Sequence, residues 1–173
     1  LMAYLSAVTE KIKLLSGVVA LPQRQTALLA KQAAEIDLLS DGRLILGVGI
    51  GYNNVEFLAM GAEFRDRGTK VEEQITLLRK LWSQPEVSFK GRWHDFQSVN
   101  INPLPRHHPI PIWMGAGRTQ HPVPPEKILK RIGIYADGFM PLFSVDSHTC
   151  KLDQSAINAI DFILQTASEV GRS

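Results

Sequence analysis

The chain has 173 residues, of which 45% are hydrophobic and 21% are charged, with a formal net charge of +2. This composition is typical of a globular domain, and the scattered basic residues argue against a nucleic-acid partner. The single cysteine, Cys150, excludes a disulfide framework and favours a reducing, cytoplasmic setting. No apolar stretch approaches the roughly 20 residues that cross a bilayer, so we expect no membrane partner.

The first part of the chain predicts a strand, a helix and a second strand. Residues 1–8 are helical in character, and an apolar segment at residues 11–21 predicts a strand that Pro22 ends. From Thr26 to Leu39, apolar residues recur every three or four positions, which predicts an amphipathic helix whose core face is Leu29, Ala33, Ile36 and Leu39. A buried strand follows at residues 44–52, so this part of the chain predicts a parallel βαβ unit.

The rest of the chain continues the alternation of helices and strands. Thr69 and Glu72 form a capping box that predicts a helix to about Trp82, and residues 87–100 predict a hairpin over the rim of the fold. A third strand is predicted at residues 110–114. The remaining predicted elements are a helix at 126–135, a strand at 137–141 and a helix at 155–170 with Ile157, Ile160, Ile163 and Leu164 on its core face. The pattern is typical of an α/β fold with a parallel sheet.

Three glycines alternate along the second strand, at Gly47, Gly49 and Gly51. Because strand side chains alternate between the two faces, one face of this strand is bare, and a flat ligand could approach its backbone at the carboxyl end. Close packing of the strand against the chain itself is the alternative. A dinucleotide-binding fingerprint is disfavoured because Tyr52 stands where its third glycine belongs.

A second glycine-containing segment, Gly115-Ala116-Gly117-Arg118-Thr119, joins the third strand to a helix. Small residues let backbone amides face a ligand, Thr119 adds a hydroxyl, and Arg118 adds a forked positive charge. The segment therefore predicts a phosphate site. A plain glycine turn with a solvated arginine is the alternative.

The titratable residues do not indicate a catalytic arrangement. The five histidines show neither metal-ligand spacing nor a shared helical face, so no metal site is predicted. His107 and His108 are expected to be solvated in a proline-rich linker, and Asp37 is expected on the surface of its helix. No Ser/His/Asp arrangement follows from the spacing.

Taken together, these segments resemble the luciferase-like monooxygenase superfamily, and within it the oxidoreductases that depend on the deazaflavin coenzyme F420. The residues that carry the resemblance are Lys11–Pro22, Leu28–Ala34, Leu38–Gly51, Glu56–Phe57, Arg67–Gly68, Leu78–Trp82, Pro111–Gly115 and Ala136–Pro141. They lie in the family's order and spacing over nearly the whole chain.

The resemblance implies a (β/α)₈ barrel, of which this chain supplies about strands 3 to 6. Residues 1–173 would then form a single incomplete barrel domain, with a rim insertion at about 83–109. Because such barrels need about 250 residues, we expect a fragment of a longer chain, or else a half-barrel that covers its open edges by self-association.

The resemblance also implies site residues. The strand end Ser16-Gly17-Val18 matches the place where relatives carry a non-proline cis peptide that forms a bulge behind the deazaflavin ring, and Gly17-Val18 is the candidate bond. The segment beside the ring and the substrate is matched by Gly49, Ile50, Gly51 and Tyr52, with Tyr52 as the candidate catalytic residue. Residues 115–119 match the phosphate loop, where relatives more often carry Gly-Gly-Asn-Ser.

The implied reaction is the transfer of a hydride between coenzyme F420 and a small organic substrate. An FMN-dependent monooxygenase of the same superfamily is one alternative, which the lack of a basic residue at Ile50 disfavours. The other is a non-catalytic truncated barrel that acts only as a structural or oligomerising unit. The resemblance further implies a homo-oligomer, with a dimer as the simplest form.

Overall fold

The computed structural model describes residues 1–143 and 151–172, so Cys150 and His148 lie outside the described residues. The chain divides into two compact units, residues 1–112 and 113–173. The first unit contains α1 (Met2–Val8), β1 (Leu14–Leu15), β2 (Val19–Ala20), α2 (Thr26–Leu39), β3 (Leu44–Gly49), α3 (Asn54–Ala59), α4 (Arg67–Ser83), β4 (Val87–Lys90) and β5 (Asp95–Val99). β6 (Ile112–Ala116) begins at the boundary, and the second unit continues with α5 (Glu126–Tyr135), β7 (Gly138–Pro141) and α6 (Gln154–Glu169). None of the helices described is long and apolar enough to cross a membrane.

The strands of the first unit form a parallel ladder on β3. β1 pairs with its first residues, with Leu14 opposite Leu44, and β2 pairs with its last residues, with Ala20 opposite Gly49. In the second unit β6 and β7 also pair in parallel. Parallel strands connected by helices confirm the predicted α/β class.

The start of α4 differs from the predicted capping box. The helix begins at Arg67, and its N-cap residue, Asp66, makes no side-chain capping hydrogen bond. The backbone amides of Thr69 and Lys70 both donate to the carbonyl oxygen of Asp66, at 3.1 and 2.9 Å. Thr69 and Glu72 therefore lie inside the helix, and the predicted capping box is wrong.

The core of the first unit depends on the contact between α2 and α4. The predicted core face of α2 is wrong in part, because Leu39 is 65% exposed. The buried residues of α2 are small or polar: Thr26, Ala30, Ala33, Ala34 and Asp37. Trp82 of α4 is fully buried, and its indole Nε1 donates to the carbonyl oxygen of Ala30 at 3.0 Å. A large indole on α4 thus packs where α2 presents small side chains.

Asp37, expected on the helix surface, is fully buried. Its carboxylate accepts a hydrogen bond from the backbone amide of His107 at 3.0 Å and lies 3.3 Å from Nδ1 of the same residue. Nδ1 of His108 lies 3.1 Å from the carbonyl oxygen of Trp82. The two histidines therefore fasten the proline-rich segment to α2 and α4, and the prediction that they are only solvated is wrong.

The predicted hairpin is confirmed as β4 and β5, which pair antiparallel. Its turn is tied to α4 through Glu73, whose carboxylate accepts two backbone amides of the turn at 2.8 and 3.0 Å. His94 lies between α4 and α2. Its Nδ1 is 2.7 Å from Oε1 of Glu73, and its Nε2 is 2.7 Å from Oγ1 of Thr26 at the start of α2.

In the second unit α5 packs closely against α6. A β-carbon built on Gly133 would lie 2.8 Å from the carbonyl oxygen of Ile163, so a larger residue does not fit there. The N-cap of α6 is Asp153, whose side chain accepts a hydrogen bond from the backbone amide of Ala156 at 2.7 Å. Its buried residues are Ala156, Ala159 and Thr166. The predicted apolar face of α6 is therefore wrong in part, because small residues make the close contact.

Candidate functional site

The candidate site of the first unit starts from an irregularity between β1 and β2. The register places Leu15 opposite Ile45 and Val19 opposite Val48. Three residues between β1 and β2, 16–18, therefore lie opposite only two residues of β3, 46 and 47. The extra residue makes a β-bulge at residues 16–18. The bulge divides the strand that the sequence predicted as continuous.

Gly17 and Val18 form the exposed part of this bulge. The peptide bond between them is cis, as the resemblance predicted, and Val18 is 45% exposed. On the other side, the hydroxyl of Ser16 donates to the carbonyl oxygen of Gly47 at 3.0 Å and accepts from the amide of Gly47 at 2.9 Å. A side chain thus fixes the bulge to β3, while Val18 remains accessible.

Two of the three alternating glycines contact the chain itself. A β-carbon on Gly47 would lie 1.7 Å from the carbonyl oxygen of Ser16, and one on Gly51 would lie 2.7 Å from the ring of Phe57. The prediction of a bare face open to a ligand is therefore wrong at these two positions, and close packing explains them. Gly51 also has a φ of +72°, which a residue with a side chain rarely adopts.

The segment that follows β3 is held by the start of α4. Nε of Arg67 donates to the carbonyl oxygen of Gly51 at 3.1 Å, and its guanidinium lies 3.7 Å from the centre of the Phe64 ring. Phe64 in turn packs edge-on against Phe57. Sequence reasoning noted Arg67 only as part of the family pattern and missed this positioning role. Tyr52, which follows Gly51, is 79% exposed.

A separate cavity of about 340 Å³ lies among α1, α2 and the strands of the first unit. Its lining is mainly apolar and includes Met2, Leu29, Leu39 and Leu46, with Ser16 at one side. None of the described residues predicted for the coenzyme site lines it. We therefore assign this cavity to the packing of the helices on the strands.

The predicted phosphate loop lies in the second unit and is shorter than expected. Gly115 and Ala116 belong to β6, opposite Met140 and Pro141 of β7. The strand therefore extends two residues beyond its predicted end. Gly117 then leaves the strand with a φ of +118°, and a β-carbon there would lie 2.8 Å from a backbone carbonyl oxygen.

Residues 118–121 form a tight turn before α5. The amide of Arg118 donates to the carbonyl oxygen of His121 at 3.0 Å, and the amide of His121 donates back at 2.9 Å. The backbone amide of Arg118 is thus used within the turn. The side chains of Arg118 and Thr119 are exposed, so the guanidinium and the hydroxyl are the groups that could hold an anion.

Two carboxylates whose pKa is shifted lie at structural contacts. Among the residues that the structure describes, no cluster of three or more His, Cys, Asp or Glu side chains could hold a metal ion. Hydrogen bonds from the Ser155 hydroxyl and the Ala156 amide lower the pKa of Asp153, the N-cap of α6. The other carboxylate with a lowered pKa, Glu73, anchors the hairpin turn.

Two curated relatives share the sequence pattern. The chain is 32% identical over 152 residues to the F420-dependent glucose-6-phosphate dehydrogenase of Amycolatopsis mediterranei (strain U-32), which covers 85% of this chain and 43% of that protein. It is 34% identical over 118 residues to the FMNH(2)-dependent dimethylsulfone monooxygenase of Pseudomonas fluorescens (strain Pf0-1), covering 66% of this chain and 32% of that protein. The chain therefore spans less than half the length of these relatives.

The fold is that of a solved coenzyme F420 dependent tetrahydromethanopterin reductase from Methanopyrus kandleri. The TM-score is 0.79 at 23% identity, and the match covers 99% of this chain and 50% of that chain. This likeness confirms the predicted fold class, an α/β chain that corresponds to about half of such a barrel. The sequence model of the luciferase-like monooxygenases matches residues 1–149. On both sequence and fold, the chain belongs to the luciferase-like monooxygenase family.

Proposed function

We propose that this chain is part of an oxidoreductase that transfers a hydride between coenzyme F420 and a small organic substrate. The observation that carries the proposal is the bulge at residues 16–18, which presents Gly17 and Val18 between the carboxyl end of β1 and the start of β2. Relatives that use F420 or FMNH2 support a flavin-type ring as the ligand. The bound coenzyme supplies the hydride chemistry, and the protein orients and shields it.

The residues of the first unit suit a flat ring. Gly17 adds no side chain and Val18 adds an exposed apolar one, so a planar ligand can rest against the bulge. Gly49 ends β3 opposite Ala20 and Ile50 follows it, and Arg67 fixes the backbone at Gly51. We propose that Gly49 and Ile50 lie beside the ring. Tyr52 is our candidate for donating a proton to a substrate oxygen, because its phenol is accessible.

The second unit offers groups for a phosphate. The guanidinium of Arg118 and the hydroxyl of Thr119 are exposed on the turn before α5. We assign to them the phosphate of the coenzyme. The variant Arg118→Gln should then weaken coenzyme binding about tenfold, the effect of losing one charge-assisted contact. Arg106→Gln, which removes another exposed arginine, is the matched control and should bind as the parent chain does.

A fluorescence titration of the purified chain with F420, and in parallel with FMN, tests the proposal. Saturable binding of F420 in preference to FMN supports it, and the reverse preference favours the FMN-dependent monooxygenase. Binding of neither by a folded chain contradicts a coenzyme site in this part of the barrel and favours the non-catalytic alternative. The variant Tyr52→Phe distinguishes a catalytic role of Tyr52 from a role in coenzyme binding. It should lower turnover and leave the coenzyme affinity unchanged, because a proton donor is needed only for turnover.

We also propose that the chain self-associates, in a cytoplasmic setting. Large apolar side chains are exposed on α1 and α2, namely Tyr4, Val8, Leu28 and Leu39. Exposed apolar surface of this kind often marks a protein interface. Light scattering should give twice the mass of one chain, and a stable monomer would contradict this proposal.

A further inference from the structure

We propose that Ser16 is a positioning residue for the coenzyme, because its hydroxyl takes the place of a backbone partner and holds the bulge that carries Gly17 and Val18. This inference rests on the proposed function. It adds a residue to which neither the sequence pattern nor the resemblance gave a role.

The first step is the gap in the ladder. In a regular parallel ladder, alternate residues of a strand use their amide and carbonyl to bond to the backbone of one neighbouring strand. The extra residue in the bulge removes that backbone partner opposite Gly47, which is buried. A buried amide and carbonyl without partners would be costly, so the bulge needs another group there.

Ser16 supplies that group. A serine hydroxyl has one donor and two acceptor positions, and both kinds are used on the same residue of β3. The hydroxyl donates to the carbonyl oxygen of Gly47 at 3.0 Å and accepts its amide at 2.9 Å. A single side chain therefore satisfies both backbone groups of Gly47.

The consequence concerns the two residues that follow. With Ser16 bonded to β3, Gly17 and Val18 lie off the ladder, and β2 resumes pairing at Val19, opposite Val48. The direction in which Val18 is presented thus depends on the Ser16 hydroxyl. Without it, the bulge can take up other conformations, or water can enter the ladder, and the surface offered to the coenzyme changes.

The parent chain and three variants test this inference. Ser16→Ala removes the hydroxyl. Ser16→Thr keeps it, at a position that borders the cavity of the first unit. Ser40→Ala is the matched control, since the buried Ser40 hydroxyl also donates to a carbonyl and accepts an amide, at 3.2 and 3.3 Å, in the turn before β3.

Two measurements are made on each chain: the exchange rate of the Gly47 amide by ¹⁵N NMR, and the affinity for F420 and FMN by fluorescence. We expect Ser16→Ala to speed exchange at Gly47 and to weaken coenzyme binding, each about tenfold, as for the loss of a buried hydrogen bond. Ser16→Thr should restore both. Ser40→Ala should unfold more easily and bind as the parent chain does.

The outcomes separate this inference from the proposed function. Unchanged affinity in Ser16→Ala, or an equal loss in Ser40→Ala, overturns the positioning role even if the parent chain binds well. Failure of the parent chain to bind either coenzyme overturns the proposed function, and the coenzyme role of Ser16 falls with it. Unchanged exchange at Gly47 in Ser16→Ala overturns the structural part of the inference with or without coenzyme binding.

Discussion

A β-carbon built on Gly47 would lie 1.7 Å from the carbonyl oxygen of Ser16. Both positions are set by the backbone, so no change of side-chain rotamer relieves the clash. We predict that Gly47→Ala forces β3 away from the bulge and lowers the free energy of unfolding by about 3 kcal/mol or more. Urea unfolding followed by circular dichroism measures this loss.

Gly61 provides the control for this substitution. Its φ is +62°, and a β-carbon there would meet no atom within 4 Å. Gly61→Ala should therefore cost only the strain of a left-handed backbone, about 1 to 2 kcal/mol. If the two variants are destabilised equally, the close approach of Ser16 to Gly47 is not the cause of the effect.

Arg43 joins the turn before β3 to the segment around α1. Its side chain is buried, and its guanidinium donates to five oxygen atoms at 2.7 to 3.0 Å, on Ser6, Thr9, Ile12 and Ser40. We predict that Arg43→Lys lowers the free energy of unfolding by about 2 to 3 kcal/mol, because one ammonium group cannot reach acceptors spread around a planar fork. Hydrogen exchange should show that α1 is the first element to lose protection.

The control for Arg43 is an exposed arginine. Arg106 forms an ion pair with Asp41 at 2.9 Å, and both side chains are mostly exposed. Arg106→Lys should change the free energy of unfolding by less than about 1 kcal/mol, as is usual for surface ion pairs. A comparable loss in both variants would show that the buried hydrogen bonds of Arg43 do not account for its contribution.

Arg43 also marks the limit of prediction from the sequence. The helix at residues 26–39 and the strand after it were predicted closely, because apolar periodicity and a glycine turn are local signals. The contacts of Arg43 with Ile12 and Ser6 join residues 31 and 37 positions apart, which no local pattern encodes. The buried face of α2 was mispredicted for a similar reason, since Trp82 of α4 selects small residues there.

The residues of the candidate site also fall into those that the sequence predicted and those that it did not. Glycines located the third strand of the first unit and the turn after β6 only in part. β3 ends at Gly49 and not at residue 52, and the turn begins at Gly117 and not at Gly115. The bulge conformation at Gly17-Val18 came from the family resemblance, and periodicity predicted an unbroken strand. The hydroxyl of Ser16 gave no signal in the sequence, because the need for it arises only when the register against Gly47 is known. The roles of these residues toward a coenzyme stay predictions.

Glu73 should make the stability of the first unit depend on pH. Burial raises the pKa of its carboxyl, but hydrogen bonds from His94 and from the amides of Arg92 and Trp93 outweigh burial, so the pKa lies below its ordinary value of 4.5. A carboxyl whose pKa is lower in the folded state than in the unfolded state stabilises the folded state fully at pH values above its unfolded-state pKa. This contribution is lost as the pH falls through the folded pKa, because the protonated carboxyl no longer accepts these bonds as well.

The variant Glu73→Gln tests this dependence. Urea unfolding between about pH 3 and pH 6 should show that the free energy of unfolding falls less with decreasing pH in the variant than in the parent chain, since the titrating group is gone. At neutral pH the variant should be about 1 to 3 kcal/mol less stable, because its amide group cannot accept all three donors. Glu86→Gln removes one exposed negative charge elsewhere and controls for net charge. An acid slope that is the same in Glu73→Gln and the parent chain would contradict the prediction.

The contact between α5 and α6 allows a test in which two effects have opposite signs. At a solvent-exposed position inside a helix, replacing glycine by alanine raises the free energy of unfolding by about 1 kcal/mol. At Gly133, however, a β-carbon would lie 2.8 Å from the carbonyl oxygen of Ile163 and 2.8 Å from Cβ of Thr166. We predict that Gly133→Ala destabilises the second unit by about 1 to 3 kcal/mol, because overpacking exceeds the gain in helix propensity. Lys127→Ala, a substitution at an exposed position of the same helix, should leave the stability almost unchanged. Thermal unfolding that shows a more stable Gly133→Ala chain would contradict the prediction and would mean that α5 and α6 separate easily.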